Sequence, residues 1–369
     1  MAQPMTTTLT FDAPAAGAEA PAPRRRVADD TALLKAAAEL TRELSAANPR
    51  IYWADFLTSA VIGYAALIAT ILAGSLGWAL AFAAVSVLAL YRAESFIHEL
   101  THMKHSTLPG FRAAWNALIG VPMLVPSFMY EGVHNLHHAK TRYGTSDDPE
   151  YLPLALMKPW TLPAFILIAA LAPVGLIIRY AVLAPLSLLS PKLREAVVAR
   201  YSGLVINPEF RRRPAEGEAK ALWTKLEVAA SVWAIALVML VATGVLPLRA
   251  FLIMMGIASA VAVLNQVRTL VAHLWENEGE AMTVTAQYLD SVNVPPPTLL
   301  PGLWAPVGLR YHALHHLLPS VPYHNLGIAH RRLSAVLDPA SPYFKANYKG
   351  LPGLMGKIAR SSMTRGVRR

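Results

Sequence analysis

Four long apolar stretches constrain the fold of this chain more than any other feature of its sequence. They lie at about residues 56–74, 77–97, 222–243 and 247–271. A helix needs about 20 consecutive apolar residues to cross the hydrocarbon core of a bilayer, and each stretch is about that long. Charged residues make up only 15% of the chain, whereas soluble domains carry about a quarter. The sequence therefore predicts an all-α integral membrane protein with four transmembrane helices.

The four predicted spans form two hairpins, because a short turn joins the members of each pair. The turns are Gly74–Gly77 and Gly244–Pro247, and neither contains a charged residue. Many basic residues lie outside the hairpins, and by the positive-inside rule they face the cytoplasm. We therefore expect a multi-pass protein of the bacterial inner membrane with both termini in the cytoplasm. The basic residues concerned are Arg24–Arg26, Lys192, Arg194, Arg211–Arg213, Lys345, Lys349, Lys357, Arg360, Arg368 and Arg369.

The segments that flank the membrane region differ from it in composition. Residues 1–28 are rich in Ala, Pro and Thr and are predicted to be disordered. Residues 29–50 have helical apolar spacing, which predicts an amphipathic or surface helix. We expect a membrane-embedded domain over residues 51–340 and a basic C-terminal tail over residues 341–369.

The chain contains no cysteine, which excludes disulfides, thiolate metal sites, Fe–S clusters and cysteine nucleophiles. Metal or acid–base chemistry must therefore use His, Asp and Glu. The net charge is +10, but no dense basic patch alternates with aromatic residues. Basic cytoplasmic loops account for the charge better than nucleic-acid binding does.

The twelve histidines are concentrated in a few clusters. One pair follows the second predicted span, and two further clusters are HxxHH triplets. The i, i+3, i+4 spacing of a triplet directs three imidazoles towards one point if the segment is helical. Another histidine lies where the fourth predicted span ends. The residues are His98 and His102, then His134, His137 and His138, then His273, and finally His312, His315 and His316.

These nine imidazoles are more than one metal ion can accept, since octahedral coordination takes only six ligands. They therefore indicate two metals, and a cysteine-free, nitrogen-rich site with open positions suits O₂ activation at iron. His105 shares a helix face with the first pair but is left outside the predicted ligand set. His324 and His330 match no ligand spacing and are interpreted as structural.

A fifth apolar stretch, at about residues 160–189, is interrupted by Pro163, Pro173 and Pro185. A single full crossing by this stretch would place the histidines before and after it on opposite faces of the membrane. Two crossings would need about 40 residues, more than the stretch contains. We therefore predict an interfacial or re-entrant segment whose broken backbone is buried against protein.

The histidine boxes resemble those of the membrane fatty acid desaturase family. That family carries H-x(3–4)-H, then H-x(2–3)-H-H, then a distant second H-x(2–3)-H-H, with a ninth histidine after the last span. Residues 131–150 and 308–323 also resemble proteobacterial desaturases, and the resemblance covers about residues 50–340. It implies that the nine histidines bind two Fe ions beneath a cytoplasmic helical cap. It further implies an oxidoreductase that uses O₂ to introduce a double bond into a lipid acyl chain.

The resemblance also implies an external source of electrons, such as a cytoplasmic ferredoxin, because the sequence has no recognisable redox domain. The basic segment 192–213 could bind an acidic carrier or lipid headgroups. One position departs from the family pattern. Acyl-CoA desaturases have an asparagine four residues before the ninth histidine, where this chain has Thr269, with Asn265 and Asn277 nearby. This departure leaves the identity of the acyl carrier open.

Three other functions compete with desaturation. An acyl-chain or lipid hydroxylase has the same fold and the same boxes. A membrane zinc protease is a remote alternative because residues 98–102 read His-Glu-Leu-Thr-His. That reading leaves both HxxHH triplets unused. A metal transporter or sensor would place ionisable ligands at mid-bilayer depth, where the four predicted spans have almost none.

Histidines that bind a metal usually need a carboxylate or carbonyl partner to fix their tautomer and orientation. Glu94 is the best candidate for such a partner, because it lies one helical turn before His98 and an ionisable group so near the bilayer is costly without a partner. Other carboxylates flank the remaining boxes. They are Asp147, Asp148, Glu276, Glu278 and Asp290.

Overall fold

The computed structural model describes residues 27–298 and 300–365, and their regular structure is helical apart from three isolated β-bridges. The segment 1–28, predicted to be disordered, lies outside the described residues except for Val27 and Ala28. The all-helical architecture expected from the sequence is therefore present throughout the part of the chain that the structure describes.

The chain begins with α1 (Thr31–Leu44), which precedes a hairpin of the long helices α2 (Pro49–Leu72) and α3 (Leu76–Glu94). A side-chain oxygen caps each of the three helices at its N-terminus, which satisfies backbone N–H groups that have no partner within the helix. After a bend at Ser95, α4 (Phe96–His102) continues the direction of α3 towards the first histidine pair.

The two helices of the first hairpin approach each other closely at Gly63. The Ser86 hydroxyl donates a hydrogen bond to the Gly63 carbonyl at 2.9 Å. A Cβ atom added at Gly63 would lie 2.7 Å from Leu90 Cδ2 and 3.1 Å from the Leu90 backbone nitrogen. The backbone nitrogen cannot move away as a flexible side chain can, so this contact requires glycine.

Short helices connect the first hairpin to the second one and carry one of the HxxHH triplets. They are α5 (Phe111–Trp115), a π-helical turn (Asn116–Gly120), a 3₁₀ turn (Ser127–Met129), α6 (His134–His137) and a 3₁₀ turn (Leu154–Leu156).

The stretch predicted to be interfacial or re-entrant at about 160–189 forms a nearly continuous helix over 27 residues, Thr161–Ser187. It alternates between α, 3₁₀ and π geometry. Pro173 and Pro185 each lie in the first turn of a short helix, where proline's missing N–H is tolerated, so the helix type changes there but the helix does not end. Its segments are α7 (Thr161–Leu167), a 3₁₀ turn (Ile168–Leu171), α8 (Ala172–Ile177), a π turn (Ile178–Leu183) and α9 (Ala184–Ser187).

This finding changes the count of helices that could cross a membrane. By length and composition the described residues contain five such helices, where the sequence analysis predicted four. The second hairpin follows α10 (Pro191–Tyr201) and consists of α11 (Gly217–Ala242) and α12 (Leu248–Leu270). The four predicted spans each lie within one of the long helices α2, α3–α4, α11 and α12, to within two residues.

The fifth apolar helix contacts segments that lead to the histidines. At its beginning, the Phe165 ring lies 6.3 Å from the Trp275 ring, which in turn lies 5.0 Å from the His273 ring. In its π turn, the Tyr180 hydroxyl lies 2.9 Å from Sδ of Met129, five residues before His134. Between these points the Ser259 hydroxyl of α12 donates to the Ala170 carbonyl at 2.8 Å. The helix therefore begins close to the side on which the histidines converge, and its π turn contacts the segment that leads to the second box.

The remaining helices lie on the histidine side, where α1 buries Leu33, Ala37 and Leu44 in a cluster that includes residues of α15 and α16. The helix predicted over 29–50 is therefore packed along one face and ends at Leu44, and Pro49 already belongs to α2. The helices of this region are α13 (Val284–Asp290), α14 (Pro301–Trp304), α15 (His312–Leu317), α16 (Tyr323–Val336) and α17 (Leu351–Arg365), with a 3₁₀ turn at Pro342–Ala346.

The segment 341–369, predicted as a basic tail, is largely part of the folded core as far as the structure describes it. In α17 the side chains of Leu354 and Ile358 are each 1% exposed and pack in a cluster that contains Trp275. The basic composition concealed an amphipathic helix, because Lys357 and Arg360 lie among the apolar positions of α17.

We predict that Gly63→Val destabilises the first hairpin by about 1–3 kcal/mol, because the added carbons overlap the backbone of α3. The measurement is the thermal unfolding midpoint of the purified protein in detergent. Gly256→Val in α12 is the matched control, since a Cβ there meets nothing within 4 Å. Equal midpoints for the two variants would contradict the prediction.

Candidate metal centre

Four segments deliver the nine predicted histidines to one place. Two residues one turn apart on α4 supply the first pair, and the single turn α6 supplies the second box. The third box is the whole of α15, and the ninth histidine follows α12 by three residues. The first pair is His98 and His102, and the second box is His134, His137 and the adjoining His138. The third box is His312, His315 and His316, and the ninth histidine is His273.

The nine imidazoles divide into two groups, each with its ring nitrogens within 4.8 Å of one another. The first group has five histidines and the second has four. The separation of His312 Nε2 from His273 Nε2 is 3.0 Å, and that of His315 Nε2 from His102 Nε2 is 3.1 Å. The first group is His98, His102, His134, His138 and His315, and the second is His137, His273, His312 and His316.

Such close approaches between Nε2 atoms suit metal binding better than mutual hydrogen bonding. Two nitrogens that lie about 2.1 Å from one ion at right angles are about 3.0 Å apart. A neutral imidazole has only one N–H to donate, so a closed set of Nε2 contacts cannot be satisfied by hydrogen bonds. Both ring nitrogens of His98 are buried without a hydrogen-bond partner in the part of the chain that the structure describes. The donor set therefore fits two metal ions.

Burial also favours the neutral form that a metal requires of an imidazole. It lowers the pKa of six histidines outside the membrane-spanning segments well below the usual range, and neighbouring histidines lower it further. His137 differs: burial lowers its pKa, but the charge of Asp148 outweighs this, so the net shift is upward. The six residues are His134, His138, His273, His312, His315 and His316.

Carboxylates hold two of the histidines through the ring nitrogen that faces away from the cluster. His137 Nδ1 lies 2.9 Å from Asp148 Oδ2, and His134 Nδ1 lies 2.9 Å from Glu150 Oε1. Asp148 is fully buried and also accepts hydrogen bonds from the backbone N–H groups of Gly144 and Glu150. A carboxylate at Nδ1 favours the tautomer that leaves the Nε2 lone pair for a metal.

His273 is oriented through a relay of side chains. Its Nδ1 lies 2.8 Å from the Tyr143 hydroxyl, which donates to Asp290 Oδ2 at 2.9 Å. Of the flanking carboxylates proposed from sequence, Asp148 and Asp290 thus reach the site, whereas Asp147 is exposed. Sequence reasoning missed Glu150 and Tyr143, although Glu150 closes the Asp-Asp-Pro-Glu run that follows the second box.

The comparisons with known proteins agree with this geometry. The family model described as fatty acid desaturase matches residues 73–347. This protein belongs to the fatty acid desaturase family. The resemblance stated from the histidine boxes is thereby confirmed. The protein is also 49% identical over 335 residues to "Ceramide hydroxylase" of Caulobacter vibrioides (strain NA1000 / CB15N), a match that covers 91% of this chain and 95% of the relative.

Within this desaturase-family site, the glutamate of the His-Glu-Leu-Thr-His motif is held by the packed core, and its Oε1 lies 3.9 Å from His98 Nδ1. Glu99 accepts hydrogen bonds from the Tyr52 hydroxyl and from the backbone N–H of Tyr323, and it is 4% exposed. A zinc protease needs this carboxylate as a general base beside a metal-bound water. The position of Glu99 in the packed core therefore opposes the protease reading.

Glu94 does not take the partner role that the sequence analysis favoured for it. Among the described residues it makes no hydrogen bond to any of the nine histidines, and Glu150 and Asp148 fill that role. Glu94 instead lines a cavity of about 370 Å³ that is open to five of the histidines. Thr269 and Asn265 also line this cavity, whereas Asn277 donates a hydrogen bond to the Gly144 carbonyl at 2.9 Å.

The remaining histidines lie outside the cluster. His105 is exposed and lines a different cavity. His324 Nε2 accepts a hydrogen bond from the Asn48 backbone N–H at 3.1 Å, and His330 Nδ1 lies 2.6 Å from the Tyr343 hydroxyl. Both of the latter tie α16 to neighbouring segments, in keeping with their interpretation as structural residues.

We predict that Asp148→Asn weakens metal binding by about 10- to 100-fold, because His137 loses the carboxylate that fixes its tautomer. The measurement is the iron retained per chain after dialysis against a graded series of chelator concentrations. Asp147→Asn is the matched control, since that neighbouring carboxylate is exposed. Identical retention curves for the two variants would show that Asp148 does not support the centre.

Proposed function

We propose that this protein is an O₂-dependent di-iron hydroxylase that inserts an oxygen atom into a C–H bond of a ceramide-type lipid. The observation that carries the proposal is the 49% identity with a ceramide hydroxylase over 91% of the chain. The sequence analysis placed acyl-chain desaturation first and a hydroxylase on the same fold second. The comparison supports the second reading better than the first.

In this proposal the two groups of histidines each hold one iron. The group of five would bind one ion and the group of four the other. When bound, the irons would supply the activation of O₂ that is needed to remove hydrogen from an unactivated methylene group, which has no acidity for a base to exploit. Asp148, Glu150 and the relay from Tyr143 to Asp290 would fix the tautomer and orientation of the imidazoles that they contact.

Hydroxylation replaces one C–H bond with C–OH and reduces the second oxygen atom of O₂ to water. This balance needs two electrons and two protons from outside the lipid. The chain's contribution is to hold the reacting carbon beside the histidines and to exclude bulk water. The cavity below the centre supports this role, because its wall combines five histidines with apolar residues such as Ala172, Leu176 and Ala262.

We propose a topology in which α2, α3, α11 and α12 cross the bacterial inner membrane and the helix Thr161–Ser187 enters and leaves from the cytoplasmic face. Two observations support it. A crossing by that helix would separate His137 from His273, which belong to the same group of four, and the helix contacts segments that lead to the histidines at Phe165 and Tyr180. Because α1 and α17 pack on the histidine side, both termini would be cytoplasmic.

Electrons would come from an acidic cytoplasmic carrier such as a ferredoxin. A groove of about 610 Å³ beside the second histidine box supports this, since it is lined by Arg112, Arg142 and Arg211–Arg213. Arg112 is paired with Glu131, whereas Arg211 and Arg213 are exposed. Asn135, next to His134, also lines the groove, so a carrier bound there would lie close to the metal centre.

We predict that Arg211→Glu combined with Arg213→Glu raises the KM for a reduced acidic ferredoxin by about 10-fold, because two attractive contacts become repulsive. The measurement is steady-state oxidation of the carrier at low salt, with kcat determined separately. Lys345→Glu combined with Lys349→Glu makes the same charge change away from the groove and should leave KM unchanged. Equal KM values for both double variants would refute carrier binding at this groove.

The reaction itself is tested by lipid analysis in a bacterium that makes ceramide and co-expresses a ferredoxin with its reductase. We expect a ceramide that is heavier by one oxygen atom, absent when His137→Ala replaces the wild type. A ceramide or phospholipid with a new double bond would return the assignment to desaturation. The purified wild type should contain about two irons per chain, and a single zinc ion would refute the di-iron centre.

A further inference from the structure

Polar side chains line the cavity together with apolar residues and five histidines. They come from two facing helices: Glu94 ends α3, and Asn265, Arg268 and Thr269 lie on the last turns of α12. We call these four residues the polar collar. Glu94 precedes His98 by one helical turn, which is about 6 Å along the axis. A channel that binds only the middle of an acyl chain does not need polar or charged side chains, because that part of the lipid has no hydrogen-bonding group.

Arg268 is the member of the polar collar that most needs a ligand. Its side chain is among the buried charged groups, at 8% exposure, and its Nε has no hydrogen-bond partner in the part of the chain that the structure describes. The guanidinium hydrogen-bonds with Tyr91 but forms no ion pair with any described carboxylate. A buried cation without a counter-ion is costly, and this one faces a cavity large enough for a ligand group.

Glu94 lines the same cavity. Among the described residues it forms neither a hydrogen bond nor an ion pair with Arg268. The two groups together offer a strong donor and a strong acceptor to one cavity. A carboxyl group at this position disfavours an anionic ligand such as a phosphate or a fatty acid carboxylate. A neutral ligand with its own acceptor and donor matches both.

We propose that the polar collar binds the amide and hydroxyl groups of a ceramide-type lipid inside the cavity. The amide carbonyl accepts from Arg268, and a hydroxyl group donates to Glu94. Hydroxylation is thereby directed to a carbon near the polar end of the lipid, because the collar lies about one helical turn from His98. This inference rests on the proposed function and adds the position of the reacting carbon to it.

The alkyl chains have a separate path in this arrangement. Ala258 and Ala262 of α12 and Ile168 and Ala172 of the Thr161–Ser187 helix form an apolar part of the cavity wall. Ile168 is 67% exposed, so this wall reaches the surface that faces hydrocarbon in the proposed topology. A lipid can thus keep its chains in an apolar channel that continues to the bilayer while its polar groups reach the collar.

Binding to metal-free protein tests the polar collar without any turnover. The probes are a short-chain ceramide and an N-alkyl amide with the same chain lengths but no hydroxyl groups. We expect wild type to bind the ceramide about 10-fold more tightly than the amide, as a hydrogen bond to a charged group predicts. In Glu94→Leu this preference should disappear, because the hydroxyl group has lost its acceptor. Equal affinity of wild type for both probes would overturn the proposal.

Arg268→Met should weaken binding of both probes by about 10- to 100-fold, since each carries the amide carbonyl. Arg249→Met is the matched control, because Arg249 lies on the same helix but donates to the Ile71 carbonyl at the opposite end. Unchanged binding by Arg268→Met would overturn the role of Arg268. If that variant fails to fold, the comparison of the two probes on wild type still decides the matter.

The position of the new hydroxyl group, read by tandem mass spectrometry of the product, separates the two proposals. A hydroxyl group within a few carbons of the amide or of the existing hydroxyl groups supports the polar collar. A mid-chain hydroxyl group refutes it but leaves the proposed hydroxylase standing. No oxidised ceramide from iron-loaded, reduced enzyme would refute the proposed function, even if the probes still bind selectively.

Discussion

The structure depends on bringing nine imidazoles together in one largely buried cluster. Such a cluster has no stable arrangement without partners, because each ring has one donor and the Nε2 atoms face one another. Four segments that are far apart in the chain must end at one point to build it. The first pair lies on α4, which continues α3, and His273 follows α12. The short helices α6 and α15 contribute the two HxxHH boxes.

The same constraint explains the apolar helix between the two hairpins. The second box lies before it and the ninth histidine after it, so a helix that crossed the membrane would divide the cluster. In the proposed topology Thr161–Ser187 does not cross, and it packs against α12 at Ser259 and contacts Met129, which precedes the second box. The helix is long and apolar enough to cross, so the proposal rests on its tertiary contacts and not on its composition.

The candidate metal ligands and the proposed lipid cavity share walls, so the proposed chemistry and the choice of substrate are linked. Helix α12 carries small apolar residues, then the polar positions Asn265, Arg268 and Thr269, and leads to His273. Helix α3 runs opposite and brings Glu94 to the same level, with His98 following in α4. Along α12 the cavity wall therefore changes from apolar to polar and then to histidine in the direction of the centre. Substitutions in the collar would alter which lipid carbon reaches the histidines without removing a ligand.

The sequence by itself determined the membrane-embedded helical class and, through the spacing of its boxes, the nine candidate ligands. Both signals are local, since apolar length and i, i+3, i+4 spacing depend only on helix geometry. Tertiary structure alone decided which imidazoles could share a metal, because His315 meets His102 across more than two hundred residues. It also decided that Glu150 supports His134 while Glu94 faces the cavity, and that Glu99 points into the core. The role of a carboxylate depends on the direction in which its side chain points and on the residues that pack opposite it. Its distance along the sequence from a histidine determines neither.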